Sequence, residues 1–405
     1  MTAPVIERGP GSRVGRRRAR ARRRMWSLVL VLALAGGGIG GVVAWRHFRH
    51  SRAVVSNATP ADQDVTLLVL TKHDVASTRA DSLTLFGVSR SGGDPVTLFI
   101  PTGTLLQVPG SLGYARIGDA STRTPFLQRI AVENLLGVSI DATVTMDDLT
   151  LGQIIDSLGG LNIDVEEDVY EHTGPGTRAP EFDRGPQHMD AGTALTYMND
   201  IGDGGTELDR FVRQQKAWDA LLAAGAARIA SAIARIDQAS LDREQAAVLT
   251  RTLGTMADRR ASARYDDVSV TSVISTGTDE AYKIDRANLD VLVRRDFAAS
   301  MLNPSLDVSA RPRVDVRNGV GAPGLGERVG ALLIEGGLQL VTGGNAPTFD
   351  NASTRIVVYG HDDASLALGR RIRTLLGVGR IEVGTNGQTV VDATIIVGRD
   401  FGKRT

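Results

Sequence analysis

The chain has 405 residues, with 46 basic and 46 acidic side chains and so no formal net charge. It contains no cysteine, which excludes disulfides, thiol chemistry and Cys-ligated metals. Its six histidines never fall at ligand spacing, which argues against a zinc site, while the length allows two or three domains with full cores.

The zero net charge conceals an asymmetry. Residues 1–25 carry nine arginines, from Arg8 to Arg24, against Glu7 alone, and the chain after that tail is net acidic. Trp26 to Trp45 reads WSLVLVLALAGGGIGGVVAW, without a charge. At about 1.5 Å per residue this helix spans roughly 30 Å, the thickness of a hydrocarbon core, with an indole at each interface. The arginine block before it, against only Arg46, Arg49 and Arg52 close behind, predicts a cytoplasmic tail at 1–25, a single transmembrane helix at 26–45 and an extracytoplasmic body. A cleavable signal peptide ending near Ala44 is the rival, although the apolar run exceeds the roughly 7–15 residues usual for one.

Residues 46–63 are small and polar, a linker from membrane to body. In the first domain, 64–300, Val65–Leu70, Ser82–Val88 and Val96–Ile100 read as strands, the last two joined by a Gly- and Asp-rich hairpin turn. Residues 124–136 and 147–158 have helical periodicity, with strands at Val144 and Leu161–Val165 beside them. Asp190–Met198 is a further helix. Residues 207–235 read as one long helix, Ala-rich after Trp218. Its small side chains suit either a groove for an apolar ligand or close helix packing. The pattern predicts a layered, mixed-sheet α/β domain.

NPSLDVSARP, from Asn303, marks a boundary. The module at 311–405 has strands at Arg313–Arg317, Leu338–Val341, Thr354–Tyr359 and Thr394–Val397, and helices at Pro323–Glu335 and Ala364–Leu376. That is a small separate α/β domain. It carries no His or carboxylate cluster and no phosphate loop, because NGVGAPGLG lacks the Lys-Ser/Thr of a nucleotide cradle. The module reads as a binder, with an envelope protein as its expected partner.

TELDRFVRQQKAW, at 206–218, is the stretch with most chemistry. Leu208, Phe211, Val212 and Trp218 recur at helical spacing as a core face, and Arg210, Arg213 and Gln214 share another face. Two guanidinium groups and an amide one turn apart suit phosphate oxygens, which Arg grips bidentately. The alternative is a solvated face with surface ion pairs. Thr206 and Asp209 form a capping-box pattern.

RADSLTLFGVS at Arg79, LFIPTGTLLQVPG at Leu98, AVENLLGVSID at Ala131, IIDSLGGLNIDV at Ile154, GPQHMDAGTALTYMN at Gly185 and ELDRFVRQQKA at Glu207 occur in an order that resembles the LytR-CpsA-Psr family of membrane-anchored cell-wall enzymes. VDVRNGVGAPGLGERVGALLIEGG at Val314 and ATIIVGRD at Ala393 resemble the LytR C-terminal domain. The resemblance implies a Mg²⁺-dependent phosphotransferase that moves a glycopolymer phosphate from a polyprenyl pyrophosphate carrier to peptidoglycan. It implies that Arg79 clamps phosphate, that Asp81 binds metal, and that Arg210, Arg213 and Gln214 lie on a phosphate-binding helix. Charge neutralisation by a hard cation and Arg forks is what such chemistry requires.

The chain also departs from the family pattern. Pro101-Thr102-Gly103 stands where the family has Pro-Arg-Asp, and Tyr197-Met198-Asn199 stands where it has Tyr-x-Arg. Thr71-Lys72-His73-Asp74 replaces the Gly-x-Asp context of a second metal ligand, leaving Asp74 as its candidate. Losing a single transition-state donor costs roughly 10²–10³ in rate, so weakened turnover is expected. The rival expectation is a non-catalytic wall scaffold or lipid-carrier-binding protein of the same fold. No helix-turn-helix pattern is visible, and no nucleic-acid partner is expected.

Overall fold

A computed structural model describes residues 65–404, apart from 74–76, 78, 91, 109–112, 123–124, 171–180, 202–205, 277–278, 305–309 and 385–389. The arginine tail, the apolar stretch 26–45, the linker and Asp74 lie outside the described residues. Among the described residues no helix is long and apolar enough to cross a membrane. One compact unit comprises Pro60–Gly321 and Val329–Thr405, and it contains two sheets of five strands.

The first domain contains β1 (Val65–Lys72), β2 (Ser82–Val88), β3 (Val96–Ile100), β4 (Leu105–Val108), β5 (Gly113–Arg116), α1 (Pro125–Leu136), β6 (Ala142–Asp147), α2 (Asp148–Leu158), β7 (Leu161–Val165), β8 (Gly185–Met189), α3 (Ala191–Asn199), α4 (Arg210–Leu222), α5 (Ala226–Ile233), α6 (Arg243–Asp258), β9 (Arg264–Asp267), β10 (Val270–Thr276), β11 (Asp279–Ile284) and α7 (Arg286–Asp296). The main sheet runs β6-β1-β2-β3-β9. Its two central pairs, β1 with β2 and β2 with β3, are antiparallel, and its outer strands β6 and β9 are parallel to their neighbours.

Both faces of this sheet are covered, which is why its central strands read as nearly unbroken apolar runs. Leu67, Val69, Phe86 and Phe99 join α2 to α6 in one core. Leu68, Leu70, Leu83, Leu85, Leu98 and Ile100 join α1 and α7 in the other. Phe86 meets Trp218 edge-on at 5.0 Å between centroids, and Phe99 stacks on Phe211 at 5.5 Å, so two aromatic pairs anchor α4 beneath the sheet.

The helix expected over 207–235 is two helices. Gly225, at φ 85° and ψ 152°, separates α4 from α5, because this extended positive-φ backbone breaks the helical run and is open essentially only to glycine. The capping box expected of Thr206 and Asp209 does not form: α4 is capped at Asp209 without a side-chain bond, and the Asp209 carboxylate instead accepts the Thr206 N–H at 2.6 Å and hydroxyl at 3.0 Å in the turn before the helix.

The second domain contains β12 (Arg313–Asn318), α8 (Leu325–Glu335), β13 (Gln339–Asn345), β14 (Arg355–Val358), α9 (Asp363–Leu376), β15 (Arg380–Val383) and β16 (Ala393–Val397). Its sheet runs β13-β12-β16-β14-β15, with β14 antiparallel to β16 and the other pairs parallel. The domain has its own sheet but is bonded to the first domain. The Asn134 carboxamide of α1 donates to Leu340 C=O at 2.5 Å and accepts from Leu340 N–H at 3.3 Å. Arg311, buried, donates to the backbone carbonyl of Asn134, at the carbonyl-rich end of α1 where a cation is favoured. Burial pulls the Arg311 guanidinium down to about 10.

Candidate functional site

The strand end of β1, the start of β2, the turn after β3 and the start of α4 meet at one corner of the main sheet. Asp81, just before β2, donates its N–H to Thr71 C=O at 2.9 Å, and its Oδ2 accepts the His73 N–H at 2.5 Å. Arg79 pairs through Nε with Asp119 Oδ1 at 2.9 Å, and its side chain is 43% exposed. The Pro101–Gly103 turn joins the same corner through Gly118. The Gly118 N–H donates to Thr102 C=O at 2.9 Å, and Gly118 C=O accepts the Ala80 N–H at 3.2 Å.

Arg210 Nη2 bridges two elements, donating to the Asp81 backbone carbonyl and, at 2.9 Å, to Glu207 Oε1. Glu207 also accepts two consecutive backbone N–H groups, Thr102 at 2.7 Å and Gly103 at 3.1 Å. Asp148, first residue of α2, holds His73 Nδ1 at 3.0 Å. Burial pushes the Asp148 carboxyl above its usual range, opposed by the hydrogen bond and charge of His73, reinforced by the charge of Asp81, and eased by a hydrogen bond from Asn199.

Arg79, Asp81 and Arg210 are therefore brought together, and Arg213 and Gln214 are used differently. Arg213 is buried and donates from Nε and Nη2 to Asp200 C=O at 3.0 and 2.7 Å, tying α4 to the end of α3. Gln214 is 2% exposed, and its Oε1 has no hydrogen-bond partner among the described residues. Arg213 and Gln214, expected on a phosphate-binding face or else a solvated one, are turned inward, and Val212, assigned to the core face, is 47% exposed. The reason is that α4 packs against both α3 and β7, so its buried face is wider than a single apolar stripe.

The sequence reading missed Glu207, Asp119, Asp148 and His73. Only Glu207 left a signal, its i,i+3 spacing to Arg210. For a divalent cation the described residues offer an incomplete set. One Asp81 oxygen is engaged by His73, and no group of three or more His, Asp or Glu among the described residues could hold a metal.

The site thus sits in a three-layer α/β domain, with arginines and carboxylates at one corner of the main sheet. The family model LytR_cpsA_psr matches residues 48–290, more than half of the chain, and the chain belongs to this LytR-CpsA-Psr family. The model described as LytR cell envelope-related transcriptional attenuator matches residues 311–401. The chain is 29% identical over 163 residues to the Corynebacterium glutamicum protein named "Probable cell wall biosynthesis protein LcpB", a match covering 40% of this chain and 38% of that protein's length. Among solved structures it is similar to Bacillus subtilis TagV, with 22% identity over 59% of this chain and 98% of that one and a TM-score of 0.46. It is also similar to the LytR-CPS2A-psr family protein YwtF (TagT) with bound octaprenyl pyrophosphate lipid, with 16% identity over 60% and 94% of the two chains and a TM-score of 0.44.

Proposed function

We propose that this is a membrane-anchored, extracytoplasmic cell-envelope protein that binds a polyprenyl-linked glycopolymer phosphate and transfers it weakly to peptidoglycan. Family membership and the relative's cell-wall name support the reading. The observation that carries it is the Arg210 guanidinium bridging the Asp81 backbone carbonyl and the Glu207 carboxylate. Residues 26–45 are the proposed single span, with 1–25 in the cytoplasm and 311–405 offered to an envelope partner. Asp81 would give one carboxylate to Mg²⁺. The ion is expected to be taken up only with a pyrophosphate, whose oxygens complete the shell.

The non-catalytic scaffold is kept as a second reading on a specific observation. A side chain at Gly103 would meet Glu280 C=O and the Tyr282 ring, each at 2.7 Å, so the position of the family's Asp is filled by β11. The test is affinity for a polyprenyl phosphate in Arg210→Ala, expected to weaken by about 1.5–3 kcal/mol. Unchanged affinity in the folded variant refutes the site. A reporter fused after Thr405 should be active only outside the cytoplasm, and cytoplasmic activity refutes the topology.

A further inference from the structure

We propose that the open face of the second domain's sheet binds an acidic, linear glycan through a row of three arginines, Arg317, Arg355 and Arg380. This deepens the reading that the chain handles a glycopolymer, and gives residues 311–405 a ligand of their own.

The sheet buries one face only. Val316, Ile395 and Ile356 lie side by side across β12, β16 and β14, and all are buried. A Cβ at Gly369 of α9 would meet Val358 and Ile381 on that same face. Side chains alternate along a strand, so Arg317, Ile396, Arg355 and Arg380, register partners across β12, β16, β14 and β15, share the opposite face. At about 4.8 Å from strand to strand the row is roughly 14 Å long. The three arginine side chains are 44%, 46% and 81% exposed in that order.

The neighbouring row on this face holds Asp315 and Glu382. Asp315 accepts from Arg317 Nε at 2.6 Å, and Glu382 accepts from Arg355 Nε and Nη2 at 3.0 and 2.7 Å. Arg380 Nε lies 3.7 Å from the other Glu382 oxygen. These pairs orient the guanidinium groups and still leave three positive charges against two negative ones, on a chain that is net acidic after its N-terminal tail. Guanidinium forks grip carboxylate or phosphate oxygens bidentately. A compact ion would meet one or two of these forks, whereas an extended chain of negative charges meets all three. Half-buried Ile396 and Val357 lie among them, an apolar floor for the C–H faces of sugar rings. Repeated negative charge joined to apolar ring faces is the chemistry of an acidic glycan.

The experiment uses the full chain in detergent micelles and measures, by calorimetry, binding of an oligogalacturonate, a malto-oligosaccharide of equal length and a single-stranded DNA of equal charge. The oligogalacturonate should bind about tenfold or more tighter than the neutral sugar, and the Arg355→Gln/Arg380→Gln variant should lose about tenfold or more of that affinity. Added salt should weaken the binding. Equal binding of the neutral sugar, DNA binding as tight as the acidic glycan, or affinity unmoved in the folded double variant overturns the proposal. If the double variant does not fold, Arg380→Gln decides, because Arg380 is the most exposed of the three and has the longest pair. It should weaken binding about threefold, and no change overturns the proposal. Arg210→Ala separates the two sites. It should leave glycan affinity unchanged whether or not polyprenyl phosphate affinity falls, and a loss of glycan affinity in that variant overturns the proposal.

Discussion

Gly103 is the residue on which the chemistry of this corner turns. Its backbone is not left-handed, so a side chain is excluded by space alone, by Glu280 C=O and the buried Tyr282 ring. Gly103→Ala should therefore destabilise by about 1–3 kcal/mol, the cost of overpacking. Denaturant unfolding measures it, and a neutral result would mean that β11 yields easily. Asp148 gives a pH signature. The folded state raises its pKa above the ordinary 3.8, so folded Asp148 holds its proton where unfolded Asp148 has released it. Across the interval from 3.8 up to the folded pKa, stability falls as pH rises, and above it the whole loss is present. Asp148→Asn should remove that slope, which unfolding at a series of pH values would detect. Neither residue was legible in the sequence. A glycine reads as a turn, and an aspartate opening a helix reads as a favourable dipole partner, because burial and neighbours 51 to 179 positions away are invisible to local pattern.

At the scale of elements, the strands were the most readable feature. VTLLVL, SLTLFGV and VTLFI lie in a sheet buried on both faces, and such runs leave little choice of structure. Less readable was α4, where Arg213 and Gln214 point inward and Val212 points out. Arg213 satisfies its burial by bonding the Asp200 carbonyl, as buried polar groups generally do. The break after α4 is testable. A Cβ at Gly225 would meet nothing within 4 Å, so Gly225→Ala tests the backbone alone. At φ 85° and ψ 152° it should cost about 1–3 kcal/mol. A stabilised variant, with continuous helix by circular dichroism, would mean that the long helix expected from periodicity is accessible.

At the scale of the whole molecule, the bonding between α1 and the strands after residue 311 was not legible from composition. Asn134 and Arg311 are ordinary polar residues in the sequence, and only the fold brings Asn134 to Leu340 and Arg311 to the end of α1. Asn134→Ala would leave the buried Leu340 N–H and C=O without that carboxamide, at a cost of about 1–3 kcal/mol. Faster hydrogen exchange over residues 339–341 would accompany it, and unchanged exchange would mean that the clasp is dispensable. The clasp has a further consequence. β13 is the border strand of its sheet, and Asn134 offers it the donor and acceptor that a neighbouring strand would otherwise supply. Residues 311–405 cut free would present that border bare, a template for pairing with other copies. Fragments of this module should self-associate when expressed alone, and a soluble version should need α1 retained or the exposed border charged.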